Sequence, residues 1–109
     1  MYGKLLHEIC LAKLDKLRPV LVLTREEVRP RLNTVTIAPI SSTIKGLSSE
    51  VAVGRENGLD HESVVQIDNI NTIPVSDIGR TVGFLLPSQE EQLSKAIKYA
   101  FSLVAVELF

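Results

Sequence analysis

Short apolar runs, separated by charged or glycine-containing segments, recur along the chain as far as residue 85. Residues 20–23 form a continuous apolar run, which predicts a strand that is buried on both faces. Alternating or β-branched runs predict five further strands, at residues 5–11, 34–40, 48–53, 63–70 and 80–85. The pattern therefore predicts six short strands, and the fifth is expected to continue into residues 71–73.

The last part of the chain has a helical period. Ser88 follows Pro87 and precedes Glu91 by three residues, which is the spacing of a capping box, so we expect the helix to begin there. The helix is predicted to cover about 19 residues with one apolar face. That face comprises Leu93, Ala96, Ile97, Ala100, Phe101, Val104 and Leu108. Leu103 and Val106 fall outside it, which indicates a second buried contact such as a subunit interface.

Two prolines and a glycine qualify the strand predictions. Pro19 has no backbone N–H, so it is expected at the first residue of its strand or at a sheet edge. Pro39, near the end of the third strand, implies an edge, a bulge or the end of that strand. Gly83, in the sixth strand, is expected to mark a bulge. Residues 12–17 are few enough to form a hairpin connection between the first predicted strand and the strand at residues 20–23.

Six strands followed by one helix favour an α+β fold that is mainly antiparallel β. We expect a small, strongly curved barrel or sheet that packs on the C-terminal helix. A chain of 109 residues has the usual size of one core, so residues 1–109 are predicted to form a single domain.

The composition favours a soluble protein of a reducing compartment. Hydrophobic residues make up 45% of the chain and charged residues 23%, both ordinary values for a globular protein. His7 and Glu8 interrupt the N-terminal apolar patch, and no apolar run has membrane-spanning length. The single cysteine, Cys10, lies in an apolar setting and is expected to be a core residue of a cytoplasmic protein. The sequence has no cluster of metal ligands and no glycine-rich phosphate loop.

The charges are unevenly distributed. Residues 1–55 carry nine of the 12 Lys and Arg side chains and five of the 13 Asp and Glu side chains. Residues 56–109 carry the other three basic and eight acidic side chains. The net charge of −1 is therefore the sum of +4 in residues 1–55 and −5 in residues 56–109. This split suggests that an anionic partner meets the first half of the chain.

Five residues, in three places along the chain, offer candidate chemistry. Arg18 is a permanent cation at the rim of the most buried strand, and it is either a phosphate ligand or a solvated strand-start residue. Ser41, Ser42 and Thr43 follow the third strand, and their hydroxyl groups either cap a turn or donate to phosphate oxygens. His7 is either a general base or a structural histidine.

Three segments resemble the MazF/PemK family of toxin endoribonucleases. Residues 18–23, Arg-Pro-Val-Leu-Val-Leu, resemble its Arg-Pro-Val-Leu-Val segment, and residues 37–42 look like its second catalytic strand, which ends in threonine or serine. Residues 63–73 are similar to its signature Ser-Val-Val-x-x-Asp-(Gln/Asn)-Ile-x-Thr-Ile. Residues 79–83 and the final helix follow in the expected order, so the resemblance covers about residues 6–105.

The resemblance implies an SH3-like barrel with a C-terminal α-helix, a homodimer and a cognate MazE-like antitoxin. It also implies cleavage of single-stranded RNA, usually mRNA, without a metal or cofactor. In that reaction the 2′-OH attacks the phosphate and leaves a 2′,3′-cyclic phosphate and a 5′-OH. The catalytic arginine of the family falls on Arg18 and its threonine on Ser41. The RNA-binding residues that we predict are Lys16, Ser42, Thr43 and Asn69.

Two departures from the family pattern keep other functions open. The segment at residues 7–10 lacks the glycine and the aromatic residue that the family usually has there. The loop before Arg18, which shapes base recognition in longer members, is reduced to residues 13–17. One alternative is a non-catalytic CcdB-like toxin that binds DNA gyrase through its C-terminal helix. Another is an inactive relic that binds only the antitoxin.

Overall fold

Seven strands and one α-helix occur in residues 6–103, the part of the chain that the computed structural model describes. The strands are β1 (Glu8–Lys13), β2 (Leu17–Val22), β3 (Thr34–Ser41), β4 (Glu50–Val53), β5 (Ser63–Gln66), β6 (Asn71–Pro74) and β7 (Ile78–Phe84). The helix, α1, covers Pro87–Ala100. Four turns of 3-10 helix lie between strands, at Glu26–Arg31, Arg55–Asn57, Ile67–Asn69 and Val75–Asp77.

All strand pairs are antiparallel. The strands follow the order β4-β5-β3-β2-β1-β7, and β6 pairs with β3 as well. The sheet curls into a half-barrel, and α1 packs against β4 and against the 3-10 turn at Ile67–Asn69. The predicted class, α+β and mainly antiparallel β with a C-terminal helix, is confirmed.

The sheet buries side chains on both faces. The face that carries α1 holds the larger cluster, which comprises Ile9, Leu21, Ala38, Ile40, Val51, Val53, Val65, Ile67, Leu85, Leu93 and Ala96. We call this the helix face. The opposite face buries a smaller cluster, which comprises Cys10, Ala12, Val20, Val22, Val35, Ile37 and Ile73. We call this the second face. Val20, Leu21 and Val22 are at most 1% exposed, which confirms the predicted burial of this strand on both faces.

The predicted fifth strand is divided into two. Ile40 pairs with Val65 of β5 and Ile37 pairs with Asn71 of β6, so both short strands lie beside β3. Ile37 and Ile40 are three positions apart, whereas their partners are six positions apart. The 3-10 turn at Ile67–Asn69 therefore adds three residues to one side of the ladder. The apolar pattern did not predict this excursion from the strand, because Ile67, the apolar residue of the turn, is buried as a strand residue would be.

The first hairpin is displaced along the chain from its predicted position. Strand β1 includes Ala12 and Lys13, which were predicted to lie in the connection, and residue 5 lies outside the described residues. Pro19 is the third residue of β2 and not the first. Its missing N–H is tolerated because the ladder to β3 begins one residue later, at Val20.

The predicted irregularity at Gly83 is confirmed. Gly83 pairs with Ile9 and Thr81 pairs with Cys10, so one extra residue of β7 lies between the two pairs. A Cβ atom at Gly83 would lie 2.1 Å from the backbone oxygen of Asn57, so no larger residue fits there. The glycine thus permits the bulge and the close approach of the neighbouring turn.

The start of the helix differs from the prediction. The first helical residue is Pro87, and the N-cap is Leu86, whose N–H donates to Gln89 Oε1 at 2.8 Å. Gln89, and not Glu91, therefore closes the cap, so the predicted box of Ser88 and Glu91 is wrong. Proline is well suited to this first position because it lacks a backbone N–H, and an N–H there would have no helical partner.

The helix also ends earlier than the predicted 19 residues, at Ala100. Phe101 and Leu103 follow it and are each 55% exposed. The predicted stripe residues Val104 and Leu108, and also Val106, lie outside the described residues. No helix within residues 6–103 is long and apolar enough to cross a lipid bilayer.

Candidate functional site

Arg18 is the second residue of β2 and belongs to the second face of the sheet. It pairs with Ala12 of β1, and its side chain follows Val20 and Val22 along the same face. The valines are buried, whereas the Arg18 side chain is 42% exposed. The strand therefore fixes the backbone of the arginine while its guanidinium group reaches solvent.

Asp15 orients the guanidinium group of Arg18. Arg18 Nε donates to Asp15 Oδ1 at 2.8 Å, and Nη2 donates to Oδ2 at 3.0 Å. The hydrogen bonds from Arg18 hold the pKa of the Asp15 carboxyl group well below its usual range, and the carboxylate raises the pKa of Arg18 in return. A guanidinium group has five N–H donors, so three remain for an anionic ligand. We did not predict this role for Asp15, although its position three residues before Arg18 across a short turn was a usable signal.

Ser41 is the last residue of β3. It pairs with Val64 of β5, which fixes the end of the strand. Side chains alternate along a strand, so Ser41 shares its face with Val35 and Ile37, which belong to the second face. Arg18 and Ser41 therefore lie on the same face of the sheet.

The register of β2 and β3 also places Arg18 and Ser41 at corresponding ends of the two strands. Val20 pairs with Pro39, and continuing this register by two residues places Arg18 opposite Ser41. Neighbouring strands lie about 5 Å apart, a distance that an arginine side chain spans. The pairing of the two strands stops at Val20 and Pro39. Beyond that point the two strands are not paired with each other, although Arg18 pairs with β1 and Ser41 with β5. We call these two strand ends, which carry Arg18 and Ser41, the open end of the sheet.

Three of the predicted RNA-binding residues adjoin the open end. Lys16 is exposed in the turn that precedes β2, two residues from Arg18. Ser42 and Thr43 directly follow Ser41, and both are exposed. The N–H of Thr43 donates to Ser41 Oγ at 3.0 Å, so the serine caps a local turn. Its O–H makes no further hydrogen bond within the described residues and can still donate to a ligand.

Asn69 lies apart from Arg18, in the three-residue excursion between β5 and β6. Its Nδ2 donates to Gln66 Oε1 at 3.1 Å. Asn69 also lines a cleft of about 90 Å³ together with Lys45, Glu50 and other residues. Lys45 lies within the loop that begins after Ser41, and Glu50 directly follows this loop. Asn69 therefore faces the later part of the loop and not its start.

His7 is not close to Arg18, so the proposal that it acts as a general base there is wrong within one protomer. The residue precedes β1, and Ala12, the partner of Arg18, is five positions further along, about 16 Å away at the usual rise of a strand. The His7 ring is instead bound to α1, because Nδ1 lies 2.7 Å from Glu90 Oε1. The His7 N–H also donates to Glu90 Oε2, at 2.7 Å.

A second polar group lies at the start of β1, the end away from Arg18. Glu8 accepts a hydrogen bond from Arg29 Nη1 at 2.9 Å and one from the hydroxyl group of Thr81. Burial raises the pKa of the Glu8 carboxyl group, but the hydrogen bonds from Thr81 and Arg29 outweigh burial and lower the pKa. Arg29 is therefore engaged within the protein. Among residues 6–103, no three His, Cys, Asp or Glu side chains are grouped in a way that would hold a metal ion.

Comparison with known proteins identifies the family. The sequence model of the family described as "PemK-like, MazF-like toxin of type II toxin-antitoxin system" matches residues 8–101. The chain belongs to this family of toxins. The matched range includes the whole sheet and α1, so the family relationship covers every element described above.

Individual members of the family are also similar to this chain. Endoribonuclease MazF3 of Mycobacterium tuberculosis is 58% identical over 95 residues, which are 87% of this chain and 92% of that protein. The solved structure of the M. tuberculosis toxin MazF-mt6 is 56% identical and superposes with a TM-score of 0.87, covering 90% of this chain and 99% of that one. A mycobacterial endoribonuclease in complex with its cognate antitoxin shares the fold at 20% identity, with a TM-score of 0.81 over 95% of this chain and all of that chain.

Proposed function

We propose that this family member is an endoribonuclease that cleaves single-stranded RNA, mRNA in particular, without a metal ion. The observation that supports the proposal most directly is that Arg18 and Ser41 share one face at the open end of the sheet. The name of the relative that is 58% identical, an endoribonuclease, agrees with it. The mRNA substrate places the action of the protein in the cytoplasm.

RNA carries its own nucleophile, so the reaction needs groups that position and stabilise rather than a bound metal. The 2′-oxygen loses its proton to water and attacks the adjacent phosphorus, and a bond from phosphorus to the 2′-oxygen forms. The bond from phosphorus to the 5′-oxygen breaks, and that oxygen takes up a proton. The products are a 2′,3′-cyclic phosphate and a 5′-OH, and no redox change occurs.

Arg18 stabilises the negative charge that the phosphoryl oxygens gain during this attack. Its planar group donates two parallel hydrogen bonds to such oxygens, and Asp15 holds it in a fixed orientation. Donors that are oriented before the reaction are worth most because they need no reorganisation in the transition state. Removing one such donor costs a factor on the order of 10² to 10³ in kcat.

In this scheme the other predicted site residues bind and orient the RNA strand. The Ser41 hydroxyl group donates a further hydrogen bond to the reacting phosphate. Lys16, Ser42 and Thr43, all exposed beside the open end, contact the neighbouring phosphates. Asn69 contacts the RNA further along the strand, at the cleft that it lines.

The proposal includes two protein partners. One is a cognate antitoxin of the MazE type, as in the mycobacterial complex that has the same fold. The other is a second copy of this chain. Tyr99, Phe101 and Leu103 expose 55% or more of their surface at the end of α1, as an interface between copies would require. Sedimentation equilibrium should give twice the chain mass of 12.0 kDa.

The deciding experiment is cleavage of a single-stranded RNA in EDTA by the parent protein and by Arg18→Ala. We expect the parent to cleave and the variant to be slower by a factor on the order of 10² to 10³, because a preoriented phosphate donor is lost. Arg31→Ala is the matched control, since Arg31 is an exposed arginine of the 3-10 turn at Glu26–Arg31. Equal rates for Arg18→Ala and the parent would refute the assignment of Arg18. Loss of parent activity in EDTA would refute the metal-independent reaction.

Expression in bacteria separates this function from its two rivals. An endoribonuclease produces RNA fragments with new 5′-OH ends, and mapping these ends also gives the cleavage sequence. A gyrase-binding toxin would leave RNA intact and block DNA supercoiling. An inactive relic would not affect growth.

A further inference from the structure

The carboxylate of Glu50 binds the backbone of the loop that follows Ser41. Glu50 Oε1 accepts a hydrogen bond from the N–H of Gly46 at 2.9 Å, from Leu47 at 3.2 Å and from Lys45 at 3.3 Å. Its second oxygen, Oε2, accepts from the Lys45 N–H at 3.3 Å. Three consecutive backbone donors thus converge on one side chain.

These contacts close the loop on itself. Residues 42–49 join the end of β3 to the start of β4, and Glu50 is the first residue of β4. The N–H of Glu50 also donates to the Leu47 carbonyl oxygen, at 3.0 Å. Gly46 supports the bend with a φ of +78°, a conformation that glycine adopts without the usual steric cost. A second tether joins Ser49 Oγ to Asp68 Oδ2 at 2.5 Å.

The position of this carboxylate needs an explanation. A negative charge beside a site for RNA opposes the binding of phosphate, so an acidic residue there is costly unless it has another role. Backbone N–H groups that converge on a carboxylate offset part of its charge. Here they also fix the course of the loop that starts at Ser41 and carries Ser42 and Thr43.

We infer that Glu50 is a positioning residue of the RNA-cleavage site. It holds the loop of residues 42–49 so that the hydroxyl groups at its start face the phosphate bound by Arg18. The inference rests on the proposed function, because it assigns Glu50 a part in that same reaction. Glu50 acts on the transition state through the loop and does not contact the reacting atoms.

The test compares Glu50→Ala with Gly46→Ala in steady-state cleavage of one RNA, which gives kcat and KM separately. Glu50→Ala removes the anchor together with its charge. Gly46→Ala perturbs the same bend without changing the charge, because a Cβ atom at Gly46 would meet no atom within 4 Å and would strain only the backbone. We expect each variant to lower kcat by roughly 10- to 100-fold, the usual effect of a small misplacement of reacting groups.

Two further variants complete the set. Glu50→Gln keeps one oxygen that accepts the Gly46 N–H, so it should retain most of the parent kcat. Glu91→Ala, which removes an exposed carboxylate from α1, is the control and should behave like the parent. Circular dichroism and a melting curve establish that each variant is folded before its rate is compared.

The outcomes are distinguishable. If the parent does not cleave RNA at all, the proposed function fails. If the parent cleaves and Glu50→Ala and Gly46→Ala keep the parent kcat, only the positioning role fails. If Glu50 acted solely through its charge, Glu50→Ala and Glu50→Gln would both lower KM for RNA, while Gly46→Ala would leave kcat unchanged. That result would also overturn the inference.

Discussion

Cys10 shows how burial, as the main cause, determines the chemistry of a residue. Its side chain is 2% exposed on the second face of the sheet. Burial raises the pKa of the thiol to about 11, and the negative charge of Glu8 contributes in the same direction. The thiol is therefore neutral at physiological pH and packs as a small apolar group, as the apolar sequence around it predicted.

A pH dependence of stability follows from this thiol. The unfolded chain releases the proton near the ordinary cysteine pKa of roughly 8.5, whereas the folded chain retains it until about pH 11. The thiol thus contributes stability that is complete at low pH and is lost as pH rises through this window. We expect the urea midpoint of the parent to fall relative to that of Cys10→Ala between pH 8 and pH 10.5. A constant difference between the two midpoints would contradict the raised pKa.

Arg18 illustrates what a sequence can and cannot establish about one residue. The run that follows it predicted a buried strand, and a cation at its rim suggested a phosphate ligand. The sequence did not reveal that Asp15 binds the guanidinium group, because that depends on how tightly the turn at residues 14–16 closes. The role of Arg18 was a prediction from the family resemblance, and its mutation is the test.

Among the elements, α1 is joined to the sheet by a buried pair of amides. Gln89 Oε1 accepts a hydrogen bond from Asn57 Nδ2 at 2.7 Å, and Gln89 Nε2 donates to Asn57 Oδ1 at 3.1 Å. The same two side chains bind the carbonyl oxygens of Ala52 and Phe84 and the N–H of Leu86. This network links the first turn of the helix to β4 and to the end of β7.

The amide pair predicts a specific loss of stability. Asn57 Nδ2 keeps its bond to the Phe84 carbonyl oxygen and Oδ1 keeps the Gly54 N–H in Gln89→Ala, but one N–H of the Asn57 amide and the N–H of Leu86 lose their acceptor. Each unsatisfied group of this kind costs about 1–3 kcal/mol. We therefore expect the free energy of unfolding to fall by about 2–3 kcal/mol. Gln92→Ala is the matched control, because Gln92 is an exposed glutamine of the same helix and should change stability by less than about 0.5 kcal/mol. Equal urea midpoints for the two variants would argue against the network.

The strands were easier to predict than their ends. Alternation located six apolar stretches because the faces of the sheet repeat every two residues. The fourth strand was predicted from residue 48 but begins at Glu50, since residues 48 and 49 belong to the loop that Glu50 closes. The helix cap was missed for a related reason. Gln89 looks like a surface residue in the sequence, and only its contact with Asn57, 32 positions away, reveals its role.

For the molecule as a whole, the candidate site depends on register. Arg18 and Ser41 lie on neighbouring strands joined by a loop of charged residues. No local sequence pattern shows how many residues belong to this loop, and that number sets which residues of the two strands pair. A shift of one residue in the pairing of β2 and β3 would move one of the two side chains to the helix face. The observed pairing of Val20 with Pro39 is what places both on the second face.

The charge distribution gives a prediction for RNA affinity. The affinity of a protein for single-stranded RNA falls as the salt concentration rises, and it falls more steeply when the protein neutralises more phosphates. Lys16 is an exposed cation beside Arg18, so we expect Lys16→Ala to weaken binding of all single-stranded sequences and to reduce the slope of log affinity against log salt by about 0.7. Lys98→Ala, at the opposite end of the chain on α1, should leave both unchanged. Fluorescence anisotropy between 50 and 300 mM salt measures the slopes, in the Arg18→Ala background so that cleavage of the RNA is slow during the measurement. If Lys98→Ala lowers the slope and Lys16→Ala does not, RNA binds along the helix and not at the open end of the sheet.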